Sequence, residues 1–280
     1  MSLILIDGNS LTLEEVVMVA RNNQQVDLTA GAIDKVNRAR ELVDKYVEEE
    51  KIVYGITTGF GKFSDVAISK DETESLQRNL IISHACGVGN PLDEEIVRAV
   101  MLLRANALSK GHSGIRLRTL NTLIGMLNKG VHPIIPEKGS LGASGDLAPL
   151  AHMVLVMMGE GEAIYQGKRM NGKEAMEKAG IPVIVLTAKE GLALINGTQV
   201  MTAIGALTIY DCKQLIKLAD IAAALTVEAQ RGIVDPFDWK VHSVRPHRGQ
   251  EQTAKNLLNL LENSTFTTRQ GEIRVQDAYT

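Results

Sequence analysis

The segment from Gly197 to Arg231 constrains the fold more than any other, because it is rich in alanine and aliphatic residues and contains no proline. An apolar pattern of this length is typical of a helix in a helical bundle. Aromatic residues make up only 4% of the chain, so aliphatic side chains and alanine must fill the spaces between helices. We therefore predict a mainly α fold.

Other helices are predicted along the whole chain. Apolar residues recur at helical spacing in AGAIDKVNRARELVDKYVEEEK (30–51) and in segments that start near Asp71, Pro91 and Ser113. Two pairs have the pattern of a capping box at a helix start, Thr12 with Glu15 and Thr187 with Glu190.

Small β elements are also predicted, among them a hairpin over EAIYQGKRMNGK that turns at Gln166-Gly167. We expect two domains. The first, residues 1–196, is helical with small β elements around a glycine-rich loop, and the second, residues 197–280, begins a long central helical bundle.

Charge and composition exclude several classes of protein. The 30 Lys and Arg residues nearly balance the 33 Asp and Glu residues, so neither nucleic acid nor an anionic membrane is an expected partner. The N-terminus lacks the charged start of a secretion signal, and no apolar stretch reaches membrane-spanning length. Two cysteines are too few for a disulfide framework, and we expect a cytoplasmic protein.

The stretch YGITTGFGKF (54–63) imitates a phosphate-binding loop but does not fit one. Gly55 and Gly61 are one residue too far apart for a Walker A motif, and Phe63 replaces the Ser or Thr that would bind magnesium. We therefore expect no nucleotide. A mobile surface loop is one interpretation, and a lid that carries the Tyr54 phenol into a site is the other.

The six histidines predict no metal site, because they form neither an HExxH motif nor a close cluster with Cys or Asp. His84 stands apart from the others. It lies where a predicted helix breaks into Gly87 and Gly89, so it could face a cavity. The local pattern leaves a structural and a functional role equally open.

In the stretch GSLGASGDLAPLAH (139–152), a glycine-rich segment of high conformational freedom is followed directly by an apolar helical pattern. This arrangement needs an explanation. A serine nucleophile does not fit, because Ser144 lacks the second glycine of a GxSxG motif. An anion site at the helix N-terminus is disfavoured by Asp146, which would repel an anion and is itself a good N-cap for the helix that follows.

A third interpretation is that the backbone reacts with itself. If the Gly145 nitrogen approaches the Ala143 carbonyl carbon, a five-membered imidazolone can close, and loss of water from Ser144 leaves an exocyclic methylidene. Each residue type then has a reason, since Gly145 permits the bend and Ala143 is small enough to be compressed. The product is an electrophile, which no ordinary side chain provides.

This stretch resembles the signature of the aromatic amino acid ammonia-lyases, which build a methylidene-imidazolone (MIO) from Ala-Ser-Gly. The resemblance continues through VYGITTGFGKF, SHACGVG, LRANALSKGHSG, ALINGTQ, QRGIVDPFDWKVHSVRPHRGQ and VQDAY, and it covers essentially all 280 residues. It implies a mainly helical bundle fold of the fumarase and aspartase type and an MIO formed autocatalytically, without metal or nucleotide. It also implies a homotetramer whose active sites combine residues from three subunits.

Within that family, Ser83-His84 and RPHRGQ are similar to the histidine-specific members. These members eliminate ammonia from L-histidine to give urocanate, the first step of histidine breakdown. A lyase or aminomutase acting on phenylalanine or tyrosine is the alternative enzyme. A non-catalytic folding or assembly module, in which Ala-Ser-Gly never cyclises, is the alternative from another class.

The resemblance also assigns roles to individual residues. Tyr54 is the catalytic base or proton shuttle, and His84 contacts the substrate imidazole. Asn196 and Gln276 position the cofactor or the substrate, and Tyr279 completes the wall around the MIO. Asp146 supports ring closure around the cofactor-forming residues, Ala143, Ser144 and Gly145.

One departure from the family concerns residues that follow the VQDAY motif. In the family, an arginine for the substrate carboxylate and later pocket residues come after this motif, whereas the chain reaches Thr280 first. We therefore expect these 280 residues to be part of a longer enzyme and to have reduced or no activity alone.

Overall fold

The computed structural model describes residues 3–59, 70–141 and 144–278, and these are mainly helical, as predicted. Eight helices of the described residues precede Gln199. They are α1 (Leu13–Asn22), α2 (Ala30–Glu48), α3 (Lys70–His84), α4 (Glu94–Ser109), α5 (Leu117–Lys129), α6 (Leu147–Met157), α7 (Gly172–Lys178) and α8 (Glu190–Ile195). The later helices are α9 (Gln199–Ala229), α10 (Trp239–Ser243) and α11 (Arg248–Leu260), with a 3-10 turn at Asp235–Phe237.

Three small sheets accompany the helices in the described part of the chain. Their strands are β1 (Ile4–Ile6), β2 (Val26–Leu28), β3 (Val88–Pro91), β4 (Val131–Pro133), β5 (Pro136–Lys138), β6 (Glu162–Tyr165) and β7 (Lys168–Asn171). β1 and β2 pair in parallel, β3 pairs with β5 antiparallel, and β4, β6 and β7 form an antiparallel sheet in that order. The predicted hairpin is confirmed as β6 and β7, and both turn residues, Gln166 and Gly167, have positive φ, as a two-residue hairpin turn of type I′ requires.

The chain divides into two compact units, Met1–Thr208 and Ile209–Thr280. In the first unit α1 packs on α4, α4 on α5, and α3 and α8 on α6. Fully buried aliphatic side chains such as Met101, Leu123 and Leu150 fill the spaces between these helices. The division falls within α9, and the domain boundary placed after Asn196 stays a prediction.

The second unit has its own small core. Ala224 in α9 packs with Val234 and with Leu257 and Leu261 of the α11 region. Beyond α11, Thr268 donates its backbone N–H to Gly232 O at 2.9 Å, so the C-terminal segment lies against the end of α9.

The two predicted capping boxes have different outcomes. Thr12 and Glu15 form a complete box at the start of α1. Thr187 and Glu190 do not, because the Thr187 hydroxyl donates to the Glu190 carboxylate at 3.2 Å instead of accepting from the helix. Glu190 is fully buried and also accepts from Arg116 and Thr119, so its carboxylate joins α8 to the start of α5.

The long helix is confirmed, and it exposes a row of large apolar residues. The exposed fractions of Leu215, Leu218 and Leu225 are 63%, 59% and 61%. No helix among the described residues is both long enough and apolar enough to span a bilayer.

Candidate active site

Three segments of the first unit meet at one place, and the first of them is the glycine-rich stretch 139–146. The loop after His84 reaches it because β3, which follows this loop, pairs with β5, which precedes the stretch. A Cβ built at Gly139 would lie 3.1 Å from the Gly87 Cα atom. The third segment is the junction of α8 and α9 around Gly197.

The closest approach in this arrangement is between Gly145 and Gly197, which form a parallel β-bridge. Gly145 has φ +94°, and a Cβ built on it would lie 2.2 Å from the Gly197 carbonyl oxygen. Any side chain at position 145 would therefore collide with backbone, and the positive φ disfavours one as well. Next to it, the Asp146 N–H donates to Gly197 O at 2.6 Å, so the turn is fixed on one side by backbone contacts.

Asp146 is almost fully buried, and its carboxylate caps a different helix from the one predicted. Asp146 occupies the N-cap position of α6, as predicted, but its side chain makes no hydrogen bond to that helix. Instead Oδ2 accepts from the backbone N–H groups of Val200 and Met201 at 2.8 and 3.0 Å. These are first-turn donors of α9, which lack partners within their own helix. The Ser140 hydroxyl donates to Oδ1 at 2.5 Å.

We expect Asp146→Ala to destabilise the chain by about 2–4 kcal/mol, because it leaves two first-turn N–H groups of α9, one buried and one partly buried, without an acceptor. Asp146→Asn keeps one carbonyl oxygen as an acceptor, so its destabilisation should be roughly half as large. Urea unfolding followed by circular dichroism measures the effect.

Asp238→Ala is the matched control for Asp146→Ala. Asp238 caps α10 through one bond to the Lys240 N–H at 2.9 Å and is partly exposed, so its loss should cost about 1 kcal/mol. If Asp146→Ala and Asp238→Ala lowered the free energy of unfolding equally, the result would contradict the special position of Asp146.

His84 is the last residue of α3 and is partly buried. Its Nδ1 lies 2.8 Å from the Leu80 carbonyl oxygen, which can only accept a hydrogen bond. Nδ1 therefore carries the hydrogen, and in the neutral ring Nε2 is left as an acceptor. The predicted break after His84 is confirmed, and the role of His84 towards a substrate stays a prediction.

Asn196 follows α8 directly, and its side chain is exposed. Its backbone carbonyl accepts from Arg104 Nη1 at 3.0 Å. Ser144, which directly precedes Gly145, is also exposed. The structure thus brings Ser144, Gly145, Asp146 and Asn196 into one region of the first unit.

The remaining predicted residues belong to other segments or fall outside the described part of the chain. Tyr54 lies in a turn after α2 and is 57% exposed. Gln276 is exposed and belongs to the second unit. Ala143 and Tyr279 fall outside the described residues, as do residues 60–63 of the predicted lid.

Arg104, in α4, is a supporting residue that the sequence patterns did not single out. Its side chain is buried, and the guanidinium donates to the carbonyls of Ala193 and Asn196 and to Gln199 Oε1. Burial lowers the pKa of Arg104 to about 10, which leaves it charged at neutral pH. A cation at the C-terminal end of α8 is favoured by the helix dipole. The Arg104 guanidinium also fixes the backbone that contacts Gly145. The clue in the sequence is an arginine within the apolar run MLLRANAL.

His152, in α6, is a second supporting residue. Its Nε2 accepts the Gly87 N–H at 3.0 Å, so the neutral ring has its hydrogen on Nδ1. Burial lowers the pKa of His152 and keeps the ring in this neutral form. The contact joins the helix after Asp146 to the loop after His84.

Two features of this region bear on which cofactor its residues could hold. Among the residues that the structure describes, no group of three or more His, Cys, Asp or Glu side chains could hold a metal ion. The described residues of the glycine-rich stretch instead show a turn that only glycine fits at position 145, next to a buried carboxylate. This backbone geometry suits a ring formed from the chain itself.

Comparison with known proteins identifies the family. The family model for aromatic amino acid lyases matches residues 11–280, so the chain belongs to the aromatic amino acid lyase family. A histidine ammonia-lyase of Alkaliphilus metalliredigens is 74% identical over all 280 residues, which make up 55% of its length. The chain thus spans about half the length of the curated relatives it matches.

Solved structures confirm the fold. Histidine ammonia-lyase of Trypanosoma cruzi matches with a TM-score of 0.86 and 39% identity, over 92% of this chain and 50% of that one. Phenylalanine aminomutase of Pantoea agglomerans matches with a TM-score of 0.89 and 37% identity, over 98% of this chain and 52% of that one. One fold therefore serves enzymes named for different substrates, and only the site can separate them.

Proposed function

We propose that this chain forms the MIO-bearing part of a histidine ammonia-lyase, which eliminates ammonia from L-histidine to give urocanate. The observation that carries the proposal is the contact of Gly145 with Gly197, beside the buried Asp146 carboxylate. This geometry supports ring closure in Ala143-Ser144-Gly145. The 74% identical histidine ammonia-lyase supports histidine as the substrate.

The reaction requires an electrophile and a base, and ordinary side chains provide only the base. The β-hydrogen of an amino acid is barely acidic and ammonia is a poor leaving group, so the enzyme needs an electrophile and a base. The MIO supplies the electrophile that activates the amino acid. Tyr54 Oη takes or relays the β-proton, and Asn196 and Gln276 position the reactants.

His84 recognises the substrate ring in this proposal. Its Nδ1–H is held by Leu80 O, so Nε2 accepts a hydrogen bond from an N–H of the substrate imidazole. Phenylalanine has no such donor and would leave Nε2 unsatisfied, which is an effective basis for discrimination. Asp146 holds the turn during ring closure, and Tyr279 forms part of the site wall.

The enzyme is proposed to be a homotetramer, as the family resemblance implies, and to be cytoplasmic, as its two cysteines suggest. We place the catalytic sites between subunits, so that Tyr54, Gln276 and Tyr279 come to the site from different copies. A phenylalanine aminomutase is the second candidate, because the Pantoea agglomerans enzyme shares the fold at 37% identity.

We expect His84→Leu to lower kcat/KM for L-histidine by about 10²-fold, because the substrate imidazole loses its hydrogen-bond partner. The ratio of histidine to phenylalanine turnover should fall with it. The assay follows urocanate release in a chimaera that joins this chain to the remaining part of the Alkaliphilus metalliredigens relative.

His84→Gln is the matched variant, since its amide oxygen retains an acceptor and should restore part of the histidine preference. An unaltered preference in His84→Leu would refute the role of His84. Turnover of phenylalanine or tyrosine above that of histidine in the unmodified chimaera would instead favour the second candidate.

A further inference from the structure

A cleft of about 690 Å³ lies on the first unit, between α2, the loop after α4 and the segment before α8. Five basic side chains line it, and no Asp or Glu is among its described lining residues. The basic residues are Lys35, Arg38, Lys110, His112 and Lys189. None of the residues proposed for catalysis lines this cleft.

Among the residues that the structure describes, the Lys and Arg side chains of the cleft are not neutralised by direct ion pairs. In the described part of the chain, Lys35, Arg38, Lys110 and Lys189 form no ion pair. Asp7, a nearby carboxylate, accepts from the Asn9 N–H at 2.8 Å and from the Ser10 N–H and hydroxyl at 2.9 Å each. These hydrogen bonds are the main reason that the pKa of Asp7 is lowered to about 2, and Lys35 makes a smaller contribution. Lys189 is half-buried, and its burial lowers the pKa of its ammonium group.

The loop at residues 110–114 adds backbone donors to this positive charge. The N–H groups of His112, Ser113 and Gly114 donate to no group in the part of the chain that the structure describes. The loop is closely packed, since a Cβ built at Gly111 would lie 2.5 Å from the Lys35 Cβ. Arg40 donates to the carbonyls of Gly114 and Ala188 at 3.2 and 3.0 Å. The donors are therefore held in place before any ligand binds.

The other wall of the cleft is apolar. Ala39, Leu42, Val43 and Tyr46 line it from one face of α2, as their spacing of three and four residues requires. Leu42 is 49% exposed. The cleft thus combines a site for a multiply charged anion with a surface for an apolar group.

We propose that this cleft binds a small phosphate ester, with the phosphate at the 110–114 loop and the apolar group against α2. Free backbone N–H groups together with Lys and Arg are the usual partners of phosphate. A dianion matches several uncompensated cations better than a single carboxylate does. The proposal goes beyond the function proposed above and does not rest on it.

The experiment titrates the ¹⁵N-labelled chain with inorganic phosphate, phenyl phosphate and benzoate, each against sodium chloride of equal ionic strength. We expect saturable shifts of the His112, Ser113 and Gly114 amides with both phosphates. Phenyl phosphate should bind at least about fivefold more tightly than inorganic phosphate, because its ring buries apolar surface. No amide shift beyond that in sodium chloride would overturn the proposal, as would benzoate binding as tightly as phenyl phosphate. Equal affinity for the two phosphates would overturn the assignment of the apolar wall.

Two double variants complete the test. Arg38→Gln with Lys110→Gln should weaken binding of phenyl phosphate at least about tenfold, because it removes two of the four permanent cations. Lys168→Gln with Lys173→Gln removes the same charge from exposed positions outside the cleft and should leave the affinity unchanged. Equal affinities in the two double variants would contradict the proposed site, and the amide spectra show directly whether each variant is folded.

Discussion

Ser144→Ala should abolish both ring maturation and lyase turnover. In the proposed ring formation the hydroxyl of Ser144 departs as water to leave the methylidene, and alanine has no hydroxyl to lose. In the chimaera that carries this chain, turnover of L-histidine should fall by on the order of 10³-fold or more, as for the loss of other covalent catalysts. The fold should survive, because Ser144 is exposed.

Intact mass measures maturation separately from activity. The mature chain should be lighter than its unmodified sequence by two water molecules, and Ser144→Ala should not show this full loss. Ser243→Ala is the matched control, since its hydroxyl donates only to the Lys240 carbonyl in α10 and its loss should leave maturation intact. An unmodified mass for the parent chain would show that it does not mature, and near-parent turnover in Ser144→Ala would exclude the methylidene as the catalyst.

The second large effect concerns the exposed apolar row on α9. Leu215, Leu218 and Leu225 follow one another at helical spacing and are each about 60% exposed. Uncovered apolar rows of this kind are uncommon on soluble monomers. We therefore expect the chain to self-associate, with a mass by light scattering well above its 30.4 kDa.

Replacing these three leucines by glutamine should return the chain to a monomer at the same concentration. A matched triple variant, Leu3→Gln, Leu5→Gln and Val185→Gln, changes residues of similar exposure that lie apart from α9 and should stay associated. A parent chain that is monomeric at high concentration would contradict the role of the row.

Local patterns in the sequence were sufficient for features that depend on neighbouring residues. The length of α9 follows from the absence of proline, the hairpin from Gln166-Gly167, and the start of α1 from Thr12 and Glu15. Each of these depends on contacts within a few residues or on backbone preference. These local structures are therefore retained when the chain forms its tertiary structure.

The sequence was less informative where a polar group has a distant partner. Asp146 has the local pattern of an N-cap for α6, yet its donors lie at the start of α9. His152 accepts from Gly87, and Arg104 donates to the end of α8. Such bonds are decided by tertiary packing, which places the N-terminus of α9 beside the turn. For the site, the resemblance supplied the residue set, and the structure adds the contact of Gly145 with Gly197.

The partners of Asp146 also set the order of events when the chain is made. Its carboxylate bonds to backbone groups 54 and 55 residues later in the sequence, and its own N–H bonds to Gly197. A nascent chain that has just released the Ala-Ser-Gly segment from the ribosome lacks all three contacts. These contacts can form only after the start of α9 has emerged and docked, so the ring closure proposed for Ala143-Ser144-Gly145 should follow that docking.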